Sequence, residues 1–204
     1  MLRVHHLRIG RSVFTVWLIE ELGLDYELTI YDRNAQMRAP AELRAAHPLG
    51  KSPVIEDQGM IIAESGAIAS YLIDVYDRDG RFAPPKSDLK AWMRYTQWLH
   101  YTEASAFLPL FLKLLPMRTQ DQAPGIAAFA DGEIALHLGY VSDQLGEQPY
   151  ILGENLQAPD IGLVYIMSLA QRIGELTNYP RLQAYLARAT ARPAFQRAMA
   201  KTGG

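Results

Sequence analysis

Two hydrophobic periods alternate over the first 77 residues of this chain, and beyond them only the helical one persists. Leu2 to His5 and Tyr26 to Ile30 have the make-up of short strands, and Ser12 to Leu22 between them is helical, stopping at Gly23. Glycine is a common helix stop because it enters the left-handed region without a Cβ clash. Strand, helix and strand within about 30 residues predict a parallel βαβ unit. Val54 to Asp57 and Met60 to Ala63 flank Gln58-Gly59, a hairpin turn pair. Ser65 to Tyr76 then places Ile68, Tyr71, Leu72 and Val75 at i, i+3, i+4 and i+7, one face of a helix.

From Asp79 to Asp88 the composition shifts to glycine, proline and charge, which marks a linker. The predicted organisation is a domain over 1–78, a linker over 79–88 and an all-helical domain over 89–204. The helical half reads as Leu89 to Leu115 with a kink at Pro109, Gly125 to Leu145, Pro159 to Gly174, a helix carrying Leu182, Tyr185, Leu186 and Ala189, and a last short one over Pro193 to Lys201. The fold class is therefore α/β followed by all-α.

Composition narrows the chemistry. A formal net charge of -2, with both signs interspersed, gives no reason to expect nucleic acid or an anionic membrane as a partner. The absence of cysteine removes disulfides, thiolate metal sites and a cysteine nucleophile. The N-terminal residues lack the apolar core of a signal peptide, and Phe107 to Leu115 is far short of a membrane span. A soluble, cytoplasmic protein is expected. His5 and His6 are neighbours in a strand and face opposite ways, and His100 with Glu103 lacks a second copy of the same pair, so no metal site is predicted.

The densest chemical signal is Ala46-His47-Pro48-Leu49-Gly50-Lys51-Ser52-Pro53-Val54-Ile55, followed by Glu64-Ser65-Gly66-Ala67-Ile68. Gly50-Lys51-Ser52 is not the end of a phosphate-binding loop, because position 45 is alanine and a strand, not a helix, follows. Pro53 opens that strand, where its missing N–H is tolerated. Were its bond cis, Ser52 would turn its backbone N–H and C=O toward an incoming extended peptide. Glu64-Ser65 stands where a strand gives way to a helix, a place suited to a carboxylate, with an acidic side chain beside it for an ammonium. A short peptide carrying both groups at one end is the natural guest.

These segments resemble those of the cytosolic glutathione transferases, and the resemblance covers nearly the whole chain. Pro48 to Val54 is similar to the family's cis-proline loop, Glu64-Ser65 to its γ-glutamyl pair and Trp17 to Gly23 to its first helix. Leu99 to Ser105, followed by Pro109, is similar to a bacterial and fungal, serine-type branch. The resemblance implies an N-terminal thioredoxin-like domain (βαβαββα) that binds glutathione as co-substrate, with no further cofactor, and a C-terminal helical bundle that binds a small apolar electrophile. It implies a two-fold homodimer. Pro53 would be cis, the Ser52 backbone would pair with the cysteinyl part of glutathione, Lys51 would reach the glycine carboxylate, and Glu64 and Ser65 would hold the γ-glutamyl end. Asp160 resembles a structural aspartate of the family.

The implied reaction needs a thiolate. A free alkyl thiol has a pKa of about 8.5, and lowering it by about two units takes ~2.7 kcal/mol. The branch supplies a serine in Leu-x-x-Ser-Arg-Ser-x-Arg, but here Leu7 to Phe14 puts Gly10 at the serine and Phe14 at the later arginine. Two replacements are open: the Ser12 hydroxyl at the first turn of the helix, or backbone N–H groups with the charge of Arg11. Restoring serine at position 10 is expected to raise activity if Gly10 marks a weakened site. In the second half, Tyr101 is the candidate contact to the electrophile. Alternative outcomes of the same resemblance are a glutathione-dependent peroxidase, isomerase, dehalogenase or ether-cleaving enzyme, a glutathione-binding protein with little turnover, and a module with no ligand.

Overall fold

The computed structural model describes residues 1–119 and 124–203. Their contacts divide the chain into two compact units, residues 1–80 with the C-terminal stretch from Ala191, and residues 81–190.

In the first unit, β1 (Leu2–Leu7), β2 (Tyr26–Tyr31), β3 (Val54–Asp57) and β4 (Met60–Ala63) form one sheet in the order β2-β1-β3-β4. β1 and β2 run parallel, with Leu2 opposite Tyr26 and Leu7 opposite Tyr31, and α1 (Ser12–Leu22) makes the crossover. β3 is antiparallel to both β1 and β4. Gln58 and Gly59 turn the hairpin with φ of 49° and 77°, the positive values whose twist matches the flanking strands. Gly23 ends α1 at φ 68°, its N–H reaching the Glu20 carbonyl while that of Leu24 reaches Ile19. A short α2 (Leu43–Ala46) precedes β3 and α3 (Ser65–Tyr76) follows β4. Every residue of α1 from Ser12 to Glu20 is buried, as a helix apolar on all sides must be. β1, α3 and the C-terminal helix cover it.

The second unit holds α4 (Leu89–Tyr101), α5 (Phe107–Thr119), α6 (Pro124–Leu145), α7 (Ala158–Arg172) and α8 (Pro180–Thr190). Asp88 caps α4 by accepting the Ala91 N–H at 3.1 Å. Phe82, inside the stretch read as a linker, is buried, and its carbonyl accepts the N–H of Ala158 at 2.9 Å. The kink expected at Pro109 is a π-helical turn over Thr102–Ala106, just before it. Pro109 has no N–H for the Ser105 carbonyl and its ring crowds that oxygen, so the widened turn relieves the conflict. Gly162 of α7 packs against this turn, since a Cβ there would lie 2.8 Å from the Thr102 hydroxyl. Asp160 is fully buried and accepts from Ile151 N–H (3.0 Å), Gln157 N–H (2.9 Å) and the Tyr185 hydroxyl (2.8 Å), a structural set that satisfies its charge. Among the described residues, no helix is long and apolar enough to cross a membrane.

The last helix, α9 (Pro193–Thr202), follows these five in sequence but belongs by its contacts to the first unit. Phe195 meets Trp17 edge-on, ring centres 5.2 Å apart, and Phe14 at 6.2 Å. Arg192 holds Glu21 through two nitrogens at 2.6 and 2.8 Å, while Arg197 and Lys201 reach Glu20 at 2.8 and 2.6 Å. Burial pushes the Glu20 carboxyl up, but bonds from Lys201, Tyr26 and Arg197 outweigh it and hold the group at about 2. Sequence order alone groups this helix with the helical half; its aromatic and ionic partners on α1 decide otherwise.

Candidate active site

The strand register gathers the predicted site. Val54 pairs with His5 on one side and with Ala63 on the other. The C-terminal ends of β1 and β4 and the N-terminal end of β3 therefore lie at one end of the sheet. Residues 8–12, 50–53 and 64–65 continue from those three strand ends.

The Ser52–Pro53 bond is cis, as the resemblance implies. Pro53 is buried, Ser52 half-buried and Lys51 exposed. The Ser52 hydroxyl donates to the His5 carbonyl at 2.7 Å and accepts the Leu7 N–H at 3.2 Å. Its side chain thus ties the loop to β1, which leaves the backbone of Ser52 as the part able to serve a ligand. Glu64 is exposed and takes φ 73°, ψ 123°, a conformation costly for any residue with a Cβ and concentrated at ligand sites. Ser65 opens α3 immediately after it, and the Glu64 carbonyl accepts the Ile68 N–H at 2.9 Å.

Between β1 and α1 the chain makes a tight loop. Ile9 is 54% exposed and left-handed at φ 55°. A Cβ on Gly10 would come within 2.7 Å of the Leu7 carbonyl oxygen, so the glycine is a steric requirement of this loop. Arg11, half-buried, has helical backbone angles at the N-cap position of α1 and makes no side-chain cap. The structure does not offer the Ser12 hydroxyl to a ligand. Ser12 is fully buried, its oxygen 2.8 Å from Nδ1 of the equally buried His6. Burial, helped by the charges of Arg8 and Arg33, keeps that imidazole neutral by lowering its pKa to about 4. Ser12 is a core contact at the start of the helix because the strand residue below it supplies a polar partner.

Arg33, which the sequence reading passes over, is the loop's main fastener. Its guanidinium donates to the carbonyls of Arg8 (2.9 Å), Ile9 (3.0 Å) and Met37 (2.9 Å). An isolated arginine in a polar stretch after a strand carries no sequence signal for that role. Arg8 itself donates to Asp32 at 2.8 Å and to the Thr202 carbonyl at 3.1 Å.

Tyr101 lies in the helical unit, at the end of α4 where the π turn begins. Its hydroxyl is 2.6 Å from Nδ1 of His137 on α6, and its ring meets Trp98 edge-on at 5.1 Å. Burial pushes the phenol above its ordinary pKa, with the neighbouring Tyr140 adding to the effect, so the hydroxyl keeps its proton. His137 is also 3.8 Å from Glu133, one turn earlier on α6. Neither histidine nor glutamate was visible in the sequence as a partner of Tyr101, since the pairing depends on how α4 and α6 pack.

A mixed four-stranded sheet with a cis-proline loop before its third strand, its helices and an attached helical unit define a thioredoxin-like fold with a helical extension. Residues 3–74 match the glutathione S-transferase N-terminal domain. Glutathione S-transferase 3 of Schizosaccharomyces pombe is 32% identical over 185 residues, 84% of this chain and 75% of the relative. A crystal structure of a glutathione S-transferase from Actinobacillus pleuropneumoniae superposes with a TM-score of 0.91 at 35% identity, over 100% of this chain and 94% of that one. A glutathione transferase homologue from Sulfitobacter, solved with bound glutathione, shares the fold with a TM-score of 0.83 at 21% identity, over 98% of each chain. The chain belongs to the glutathione S-transferase family of enzymes.

Proposed function

We propose that this enzyme binds glutathione at the sheet end formed by residues 8–12, 50–53 and 64–65, ionises its thiol and adds the thiolate to a small apolar electrophile. The observation that carries the reading is the convergence of those three segments through the register of β1, β3 and β4. The Ser52 backbone pairs with the cysteinyl unit, Lys51 meets the glycine carboxylate, and Glu64 with Ser65 receives the γ-glutamyl ammonium and carboxylate. Bound glutathione in the Sulfitobacter homologue supports the same guest here. Residues 1–78 serve glutathione and the helices α4 to α8 serve the electrophile.

Burial of Ser12 favours the second of the two activation schemes. Val13 and Phe14 turn their N–H groups onto the Gly10 and Arg11 carbonyls, so the positive end of the α1 dipole and the charge of Arg11 stabilise the thiolate. The S–H proton leaves to solvent, the sulfur electron pair forms the C–S bond, and with an aryl chloride the chloride departs with the C–Cl pair. Tyr101, kept protonated and beside His137, is the polar contact offered to the electrophile. A cytoplasmic homodimer completes the reading.

Calorimetry with glutathione and turnover of a chlorodinitrobenzene-type electrophile test it. Saturable heat together with conjugate formation is the expected result; no saturation at millimolar glutathione defeats the proposal. A second reading, a glutathione binder with little turnover, is favoured by the missing side chain at Gly10 and the buried hydroxyl of Ser12. Heat without conjugate formation would select it.

A further inference from the structure

We infer that Arg33 is a positioning residue for thiol activation, holding the loop between β1 and α1 in shape and supplying positive charge beside Gly10. The inference rests on the glutathione reading above and adds a residue to it. Three observations converge on this side chain.

The guanidinium donates to the carbonyls of two consecutive residues, Arg8 and Ile9, and to Met37 across the next loop. Those bonds bracket the one left-handed residue of the loop, Ile9, whose φ of 55° is unfavourable for a β-branched side chain. A conformation of that kind persists only where its surroundings impose it. Arg33 imposes it from the carbonyl side and so sets the direction in which the chain enters α1, whose positive dipole end serves the proposed thiolate.

The second observation is the place of the charge. A Cβ built on Gly10 would lie 3.5 Å from a terminal nitrogen of Arg33. The guanidinium therefore borders the space that a side chain at position 10 would fill, the position where the resembling branch carries its hydroxyl. A planar cation stands beside the region from which a hydroxyl is missing.

The third is that the field is felt locally. His6, beneath the loop, is held neutral by burial and then by the charges of Arg8 and Arg33. Arg8 and Arg33 both bond within this loop's surroundings, Arg8 to Asp32 at 2.8 Å and Arg33 to the Arg8 and Ile9 carbonyls. Arg33 sets its charge against the Arg8 and Ile9 carbonyls of this loop, and a cation there favours an anion bound beside it.

The test uses the full-length protein with Arg33→Met and Arg33→Lys. Thiolate absorbance of bound glutathione against pH is read for each, alongside kcat, KM and thermal melting. An opposite charge at contact range shifts a titration by about one to three pH units. Arg33→Met is expected to raise the midpoint of the bound thiol by at least about one pH unit and, from a midpoint about two units below the free thiol, to lower kcat at least about threefold at neutral pH, with recovery at alkaline pH. Arg33→Lys, which keeps the charge but not the fork across two carbonyls, should fall between Arg33→Met and the parent. A wild-type thiolate signal that is unmoved in both variants, even with lowered melting temperatures, overturns the assignment of Arg33 alone. Should Arg33→Met fail to fold, a parent-like titration in Arg33→Lys overturns it and an intermediate one supports it. Absence of any thiolate signal in the wild-type complex defeats the activation reading beneath it, and the inference with it.

Discussion

Gly10 is the residue whose chemistry the sequence reads one way and the geometry another. As a departure from the Leu-x-x-Ser pattern it suggests a site that serine would repair. In the folded loop, a Cβ there would press on the Leu7 carbonyl oxygen at 2.7 Å, and a backbone atom in a strand cannot swing aside. Gly10→Ser is therefore expected to lower the unfolding free energy measured in urea by about 1–3 kcal/mol, the scale of a forced contact, without increasing turnover. A gain in turnover at unchanged stability would show that the loop relaxes. Ser65 is simpler, because it is half-buried at the first position of α3 and its hydroxyl is not needed to cap the helix. Ser65→Ala should weaken glutathione binding by about 1–2 kcal/mol, the worth of a hydrogen bond to a charged group. Calorimetry giving an unchanged dissociation constant would remove Ser65 from the site.

At the scale of elements, the contact between α1 and α9 connects the two ends of the chain. Phe195 is 7% exposed and wedged against Trp17 and Phe14. Its removal leaves a cavity among aromatic rings, so Phe195→Ala should cost about 3–5 kcal/mol in denaturant unfolding. The ionic part of the contact behaves differently. Glu20 is buried, but Arg197 and Lys201 are each 51% exposed and rehydrate once freed. Glu20→Gln is expected to cost about 1–3 kcal/mol, the range for lost charged hydrogen bonds, and no more. The elements before α9 were legible because their signals are local: Gly23 and Gln58-Gly59 each sit at a positive φ that glycine-containing turns favour. The π turn was half legible, since Pro109 announces an interruption but not the widened turn that absorbs it.

For the whole molecule, two groups predict how stability responds to acid. His6 is held at about 4 against an ordinary 6.5, and Glu20 at about 2 against 4.5. Both values are lowered on folding, so in acid the unfolded chain binds more protons and stability falls with pH. The His6 contribution is intact above 6.5 and is lost between there and about 4; that of Glu20 is intact above 4.5 and is lost on the way to about 2. The urea midpoint should therefore be level near neutrality and decline in two stages as acid is added. Glu20→Gln should shrink the second stage and leave the first, the remainder falling to Asp57, whose carboxyl burial pushes up but the Tyr76 and Tyr71 hydroxyls hold low. An undiminished second stage in that variant would mean that other carboxylates dominate it.

The sequence by itself determined the order of elements and the change from mixed to all-helical patterning, and it marked the segments around Pro53 and Glu64-Ser65 as the candidate site, because turn chemistry and side-chain period are properties of neighbours. Only the tertiary structure decided that α9 covers α1, that the buried Ser12 faces His6, that Tyr101 stands beside His137, and that Arg33 bonds to the loop before Gly10. Each of those depends on groups brought together from distant parts of the chain or across packed faces. Burial, which turns a hydroxyl inward or leaves a cation beside a bare backbone, is set by what packs around a residue and has no local spelling.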